Sequence, residues 1–155
     1  MLKLAARKIQ HLLRIVLHTD DTPPRAALAF ALGAFVAWTP APGLHPLIAL
    51  GLAFLLGLNR LAMVAGTFIN NPWTFVPIYS ASAYLGAHLL GSDLPAVSFA
   101  GIGSWRDLDD FFGQLRPWIL PLSAGTLVLG SLCALLSFPI VLYGIRWYRT
   151  LRKAG

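Results

Sequence analysis

The chain has 155 residues, of which 57% are hydrophobic and only 12% charged, against about 25% charged in ordinary soluble domains. Too little charge is present to coat a soluble domain of this size, so lipid is the expected solvent. The net charge of +6 collects in two terminal collars, Lys3, Arg7, Lys8 and Arg14 at one end and Arg146, Arg149, Arg152 and Lys153 at the other, which suits anionic headgroups on a cytoplasmic leaflet and, with no base-reading motif, argues against nucleic acid.

Leu2, Ala5, Ile9, Leu12, Leu13 and Val16 recur at helical spacing, with Lys3, Arg7, Gln10, Arg14 and His18 off that face. Residues 1–22 are therefore expected to hold a basic amphipathic helix lying in the interface, with Lys3, Arg7, Lys8 and Arg14 on lipid headgroups. The run has no uninterrupted apolar core of the kind a cleaved signal needs. Thr22 is the expected N-cap of the next element, with Pro23 and Pro24 in its first turn.

From Ala26 to Asn59 there is neither acid nor base, yet Pro40, Pro42, Gly43 and Pro46 cut the stretch in two. The arms Ala26 to Thr39 and Leu47 to Leu58 reach about 21 and 18 Å, short of the hydrocarbon core of about 30 Å. A re-entrant hairpin fits both lengths, provided its tip is shielded from lipid. Ala29, Gly33 and Ala37 on one arm, and Ala49, Ala53 and Gly57 on the other, form stripes that predict close packing of the two arms.

Arg60 returns the chain to the side it left. Leu61 to Ile69, the break Asn70-Asn71-Pro72-Trp73-Thr74, and an apolar run to Leu90 with Pro77 inside it read as one discontinuous span or a second, asymmetric hairpin. Small residues recur there at Ser82 and Gly86. Residues 91–117 form a net acidic connection, expected on the periplasmic side, in which Ser104 and Asp107 frame the start of a short interfacial helix. Ile119 to Ile145 carries no charge and is the clearest span, with Trp118 at one end and Tyr143, Trp147 and Tyr148 at the other as aromatic belts. The expected architecture of residues 1–155 is thus a single all-α integral membrane domain. It comprises an N-terminal amphipathic interfacial helix, a re-entrant hairpin, one discontinuous span, a periplasmic loop helix and one long C-terminal span, with both termini cytoplasmic.

Arg25 to Leu90 resembles the DUF2062 family of small bacterial membrane proteins. The resemblance is carried by the run from Ala27 to Phe35, by Pro40-x-Pro-Gly-x-His45, by Asn59-Arg60, and by Gly66-Thr-x-x-Asn-Asn-Pro-x-Thr74 followed by Pro77, Tyr79, Tyr84 and Gly86. It implies a polytopic protein of the bacterial inner membrane, in a family sometimes joined to glycosyltransferase-like domains. That link points toward the cell envelope.

Polar groups at membrane depth are costly and mark candidate sites. The residues singled out are Pro40, Pro42, Gly43 and His45 at the first break, Asn70, Asn71, Pro72 and Thr74 at the second, and Arg60 and Tyr79 beside them. Two helices beginning near Leu47 and Trp73 could aim their N-termini at one anion, as the broken helices of secondary transporters do. The competing reading is structural: Asn and Thr beside proline cap local backbone, and an arginine beside a span can snorkel to the interface.

No acid lies in either broken stretch, which disfavours a carboxylate-based proton carrier. Asp109 and Asp110 are adjacent and face different ways on a helix. Cys133 alone supports neither a disulfide nor a metal site, and no catalytic motif occurs. The expected function is therefore non-enzymatic, without cofactor or metal: a transporter or flippase-like protein for an anionic, lipid-linked solute. The alternative is a membrane scaffold for an envelope glycosyltransferase. Shielding of the broken tips would be completed by a homodimer.

Overall fold

The computed structural model describes residues 21–41, 43–93 and 105–154. Among them the chain forms five helices and no strand: α1 Pro23–Trp38, α2 His45–Leu56, α3 Arg60–Thr67, α4 Phe75–Leu90 and α5 Trp105–Ala154. The amphipathic segment with Lys3, Arg7, Lys8 and Arg14, the break residue Pro42 and most of the polar connection lie outside the described residues.

Each boundary follows from local chemistry. α1 begins where expected, the Thr22 carbonyl accepting the Ala26 N–H at 3.1 Å, because Pro23 and Pro24 occupy positions whose N–H groups have no helical partner to lose. The same rule corrects the start of the second arm. α2 opens at His45, not Leu47, because Pro46 sits in its first turn. α2 and α4 both end on a left-handed glycine, Gly57 at φ 62° and Gly91 at φ 60°. In each case the following residue folds back, Leu58 N–H to the Ala53 carbonyl and Ser92 N–H to the Ala87 carbonyl, both at 3.0 Å. These Schellman closures satisfy carbonyls that the helix end would otherwise orphan. Asn59 then caps α3, its buried Oδ1 accepting the Ala62 N–H at 2.8 Å.

The expected separation of a loop helix from the C-terminal span is also corrected. The helix runs without interruption from Trp105 to Ala154, through Pro117, Pro121 and Pro139. Each proline removes one ladder bond, yet the helix continues on both sides of all three. Its stretch Arg116–Leu151, 36 residues, is long and apolar enough to cross a membrane, and only 11% of its most apolar window is buried.

By packing, the described residues within Met1–Ala37, Ala41–Ile69 and Leu132–Gly155 form one compact unit, and those within Trp38–Pro40 and Asn70–Ser131 a second. In the first, Ala29 of α1, Ala49 and Ala53 of α2, and Ala62 and Met63 of α3 share one buried cluster. The predicted stripes of both arms thus meet in one core. The tightest backbone approach, however, is between α1 and α3: a Cβ on Gly33 would overlap the Met63 carbonyl, and one on Gly66 the Phe30 carbonyl. The second unit repeats the device with Ser82 and Gly86 of α4 against Pro121 and Gly125 of α5, where a Cβ on either glycine would overlap the opposite backbone. Ser82 is buried there with its hydroxyl donated to the Ile78 carbonyl at 2.8 Å, so it costs no unpaired group.

The interior is therefore built of alanine and glycine, and among the described residues the largest fully buried side chains are Met63 and Ser82. The large apolar side chains point outward instead: Leu55 is 83% exposed, Leu135 71% and Ile140 70%. Water-soluble proteins rarely expose contiguous apolar surface on this scale. An apolar surrounding makes it unremarkable.

Candidate functional site

The second break is a folded turn. Asn71 Oδ1 accepts the Trp73 and Thr74 N–H groups at 2.9 and 3.1 Å, and Thr74 Oγ1 accepts the Asn71 N–H at 2.9 Å. This reciprocal pair has the logic of a capping box with threonine in the third position, and Pro72 takes the first position of the turn that leads into α4, where no N–H is required. The Asn71 carbonyl then accepts the Phe75 N–H at 2.8 Å, leading into α4. Asn71 and Thr74 thus serve the turn. Pro77, only two residues into α4, falls where the helix has fewest bonds to lose.

Tyr79 connects this turn to the start of the first break. Its ring packs edge-on against Phe75, one turn earlier, with centroids 4.6 Å apart. Its hydroxyl donates to the Thr39 carbonyl at 2.9 Å and accepts from Asn70 Nδ2 at 3.3 Å. Thr39 is the residue immediately after α1, and it belongs with Tyr79 to the second unit. This pairing was within reach of the sequence only as a list of residues near breaks, since nothing in a spacing of forty residues announces a partner.

Trp38 was not a candidate, yet it adjoins Thr39 in the same unit and has a distinctive property. Its indole N–H is buried without a hydrogen-bond acceptor, a condition found among the described residues only there and at Trp118. An unpaired buried donor costs about 1–3 kcal/mol. Such a group therefore calls for an oxygen acceptor. The signal available in sequence was a tryptophan directly before a proline-broken stretch.

The other predicted residues are placed as follows. Pro40 is exposed beside Thr39 in the second unit, and Gly43 turns the chain at φ 81° in the first. His45 is buried at the head of α2, 5% exposed. Arg60 begins α3, so the length of α2, about 18 Å, separates it from His45. It is exposed, its guanidinium 3.7 Å above the Phe54 ring. The structure therefore brings Asn70, Tyr79, Thr39 and Trp38 into one unit, and sets Arg60 apart from His45. Missed in sequence was Arg25, whose Nη2 donates to the Gly57 carbonyl at 2.7 Å across 32 residues. That bond holds the start of α1 beside the end of α2, so the two arms run antiparallel.

Among the described residues no group of His, Cys, Asp or Glu is arranged to hold a metal ion. Around the breaks the hydroxyl and amide donors are engaged with the protein, Tyr79 on Thr39, Asn70 on Tyr79 and Thr74 on Asn71, whereas the Trp38 indole N–H is buried without an acceptor.

Small-residue helix crossings, outward-facing apolar side chains and two interrupted helices define a helical protein with one helix able to cross a membrane. The chain belongs to the DUF2062 family, described as uncharacterized protein conserved in bacteria, and the match spans residues 6–154. It therefore extends well beyond Arg25 to Leu90, through the long α5. No curated protein and no solved structure shows significant similarity to the chain.

Proposed function

We propose that this chain is a multi-pass protein of the bacterial inner membrane that moves an anionic, lipid-linked solute, with its site around Thr39, Asn70 and Tyr79. The observation that carries the reading is the Tyr79 hydroxyl, held between the Thr39 carbonyl and the Asn70 amide. Interrupted helices brought together by polar groups are how secondary transporters build sites at membrane depth. The unpaired Trp38 N–H supplies a donor for a solute oxygen.

The membrane placement draws on the outward-facing leucines and on helix lengths. α1 and α2 have 16 and 12 residues, about 24 and 18 Å, and each falls short of the core of about 30 Å. Their antiparallel pairing through Arg25 and Gly57 suits a hairpin that enters and leaves on the cytoplasmic side, with both termini there.

The test is reconstitution of the full chain in liposomes with a fluorescent isoprenoid phosphate. Translocation above empty vesicles is expected. Its absence, with folded protein demonstrated in the vesicles, would contradict the proposal.

One observation favours the alternative of a non-catalytic scaffold for envelope glycosyltransferase machinery: Asn71 and Thr74 are engaged with the turn they form. Cross-linking in the native host would then recover a reproducible glycosyltransferase partner, and transport would be absent.

A further inference from the structure

One end of the first unit gathers three guanidinium groups that the helix breaks do not use. Arg25 Nη2 donates to the Gly57 carbonyl at 2.7 Å, Arg149 Nη2 donates to the Asp21 carbonyl at 3.0 Å, and the Arg60 guanidinium lies 3.7 Å over Phe54. These contacts fix the groups in one neighbourhood. Asp21 lies four residues before Arg25, and Gly57 three residues before Arg60, so the two carbonyls pin Arg149 and Arg25 close to the start of α1 and the end of α2.

The partners are two carbonyls and an aromatic ring, none of which neutralises a positive charge. A guanidinium has five N–H donors in a rigid fork, and one nitrogen each of Arg25 and Arg149 makes these bonds. The rest can meet oxygens bidentately, the geometry that phosphate offers. The Asp21 carboxylate is the one acid beside the three arginines among the described residues, leaving an excess of two positive charges.

Below this rim the surface is apolar. Leu55 and Leu56 at the end of α2, and Tyr143 and Trp147 near the end of α5, are exposed, and Arg146 adds a further exposed positive charge. Exposed aliphatic surface meeting aromatic rings and then arginine matches a phospholipid in sequence: acyl chain, interface, phosphate. A free phosphate would explain the arginines but not the apolar apron.

We infer that Arg25, Arg60 and Arg149 form a binding rim for the phosphate of an anionic phospholipid. The inference rests on the membrane placement proposed above and is independent of the solute site. Arg25 and Arg149 also tie helix ends together, so lipid bound here would reinforce the junction of α1, α2 and α5.

The experiment is native mass spectrometry of the full chain in detergent, titrated with phosphatidylglycerol, phosphatidylcholine or inorganic phosphate. Phosphatidylglycerol is expected to bind in preference to phosphatidylcholine. Arg60→Gln should weaken it about five-fold, the equivalent of about 1 kcal/mol per basic group, and the Arg60→Gln, Arg149→Gln pair about twenty-five-fold. Among the described residues the Arg60 side chain donates no bond to the backbone, so its single variant remains informative where the pair fails to fold. The charge-matched control Arg116→Gln, at an exposed arginine of the second unit, should leave this affinity unchanged. Equal losses in the control, no loss in Arg60→Gln, or inorganic phosphate binding as tightly as the lipid would overturn the assignment. Membrane placement is read separately: recovery of the chain from cells without detergent would overturn it.

Discussion

The Tyr79 hydroxyl donates to the Thr39 carbonyl at 2.9 Å, across forty residues of sequence. Thr39 follows α1 at the first break, and Tyr79 stands one turn into the helix that follows the second. Tyr79→Phe keeps the ring against Phe75 but removes both hydroxyl bonds, including the one from Asn70. Two part-buried bonds are worth about 1–2 kcal/mol together. Thermal unfolding in detergent should show a loss of that size, and an unchanged midpoint would mean that the hydroxyl does not hold the breaks.

Trp38→Phe should behave in the opposite sense. Removing a buried donor that has no acceptor relieves a desolvation cost of about 1–3 kcal/mol, offset in part by a small loss of packing. The variant is expected to be as stable as the parent or more so, yet slower in translocation. Loss of stability would show that the indole N–H has a partner in the resting protein.

The glycine crossings make a sharp contrast between positions. Gly33→Ala places a methyl group against the Met63 carbonyl, and Gly86→Ala one against the Pro121 carbonyl. Backbone must move in each case, at a cost of about 1–3 kcal/mol. Gly51, in the middle of α2, has open space where its Cβ would be, so Gly51→Ala should gain up to about 1 kcal/mol from helix propensity. Midpoints of thermal unfolding should fall for the first two and hold or rise for the third.

Asn71 and Thr74 bond to each other's backbone N–H, so they should act as one unit. Asn71→Ala and Thr74→Ala are each expected to cost about 1 kcal/mol, and the double variant clearly less than the sum of both. A double-mutant cycle measures this. Full additivity would show that the two side chains cap independently.

Much of the fold was legible because its punctuation is chemical. The proline clusters marked both breaks, and the small-residue stripes marked the buried faces. Periodicity gives a face but not what meets it, so Gly33 was expected against α2 and is tightest against α3. Two errors share one cause, the reading of proline as a stop. Pro46 is harmless in a first turn, and Pro117 and Pro121 remove single bonds from a helix that continues on both sides. The candidate residues were legible as a set at two tips. Its pairings were not, because Thr39 with Tyr79 and Arg25 with Gly57 depend on how helices return in space, and local sequence does not encode that distance.

The central claim, that the broken helices form a solute site, is tested most directly by translocation in vesicles of matched protein content. The parent chain, Asn70→Ala and Gly51→Ala should be compared with a fluorescent isoprenoid phosphate as cargo. Asn70 lends its amide to Tyr79 at the second break, whereas Gly51 lies on an open face of α2. The account predicts activity in the parent and Gly51→Ala, and a loss of about ten-fold or more in Asn70→Ala, on the scale of about 1.4 kcal/mol per ten-fold change. Equal rates in all three, or rates no higher than in empty vesicles, would contradict it.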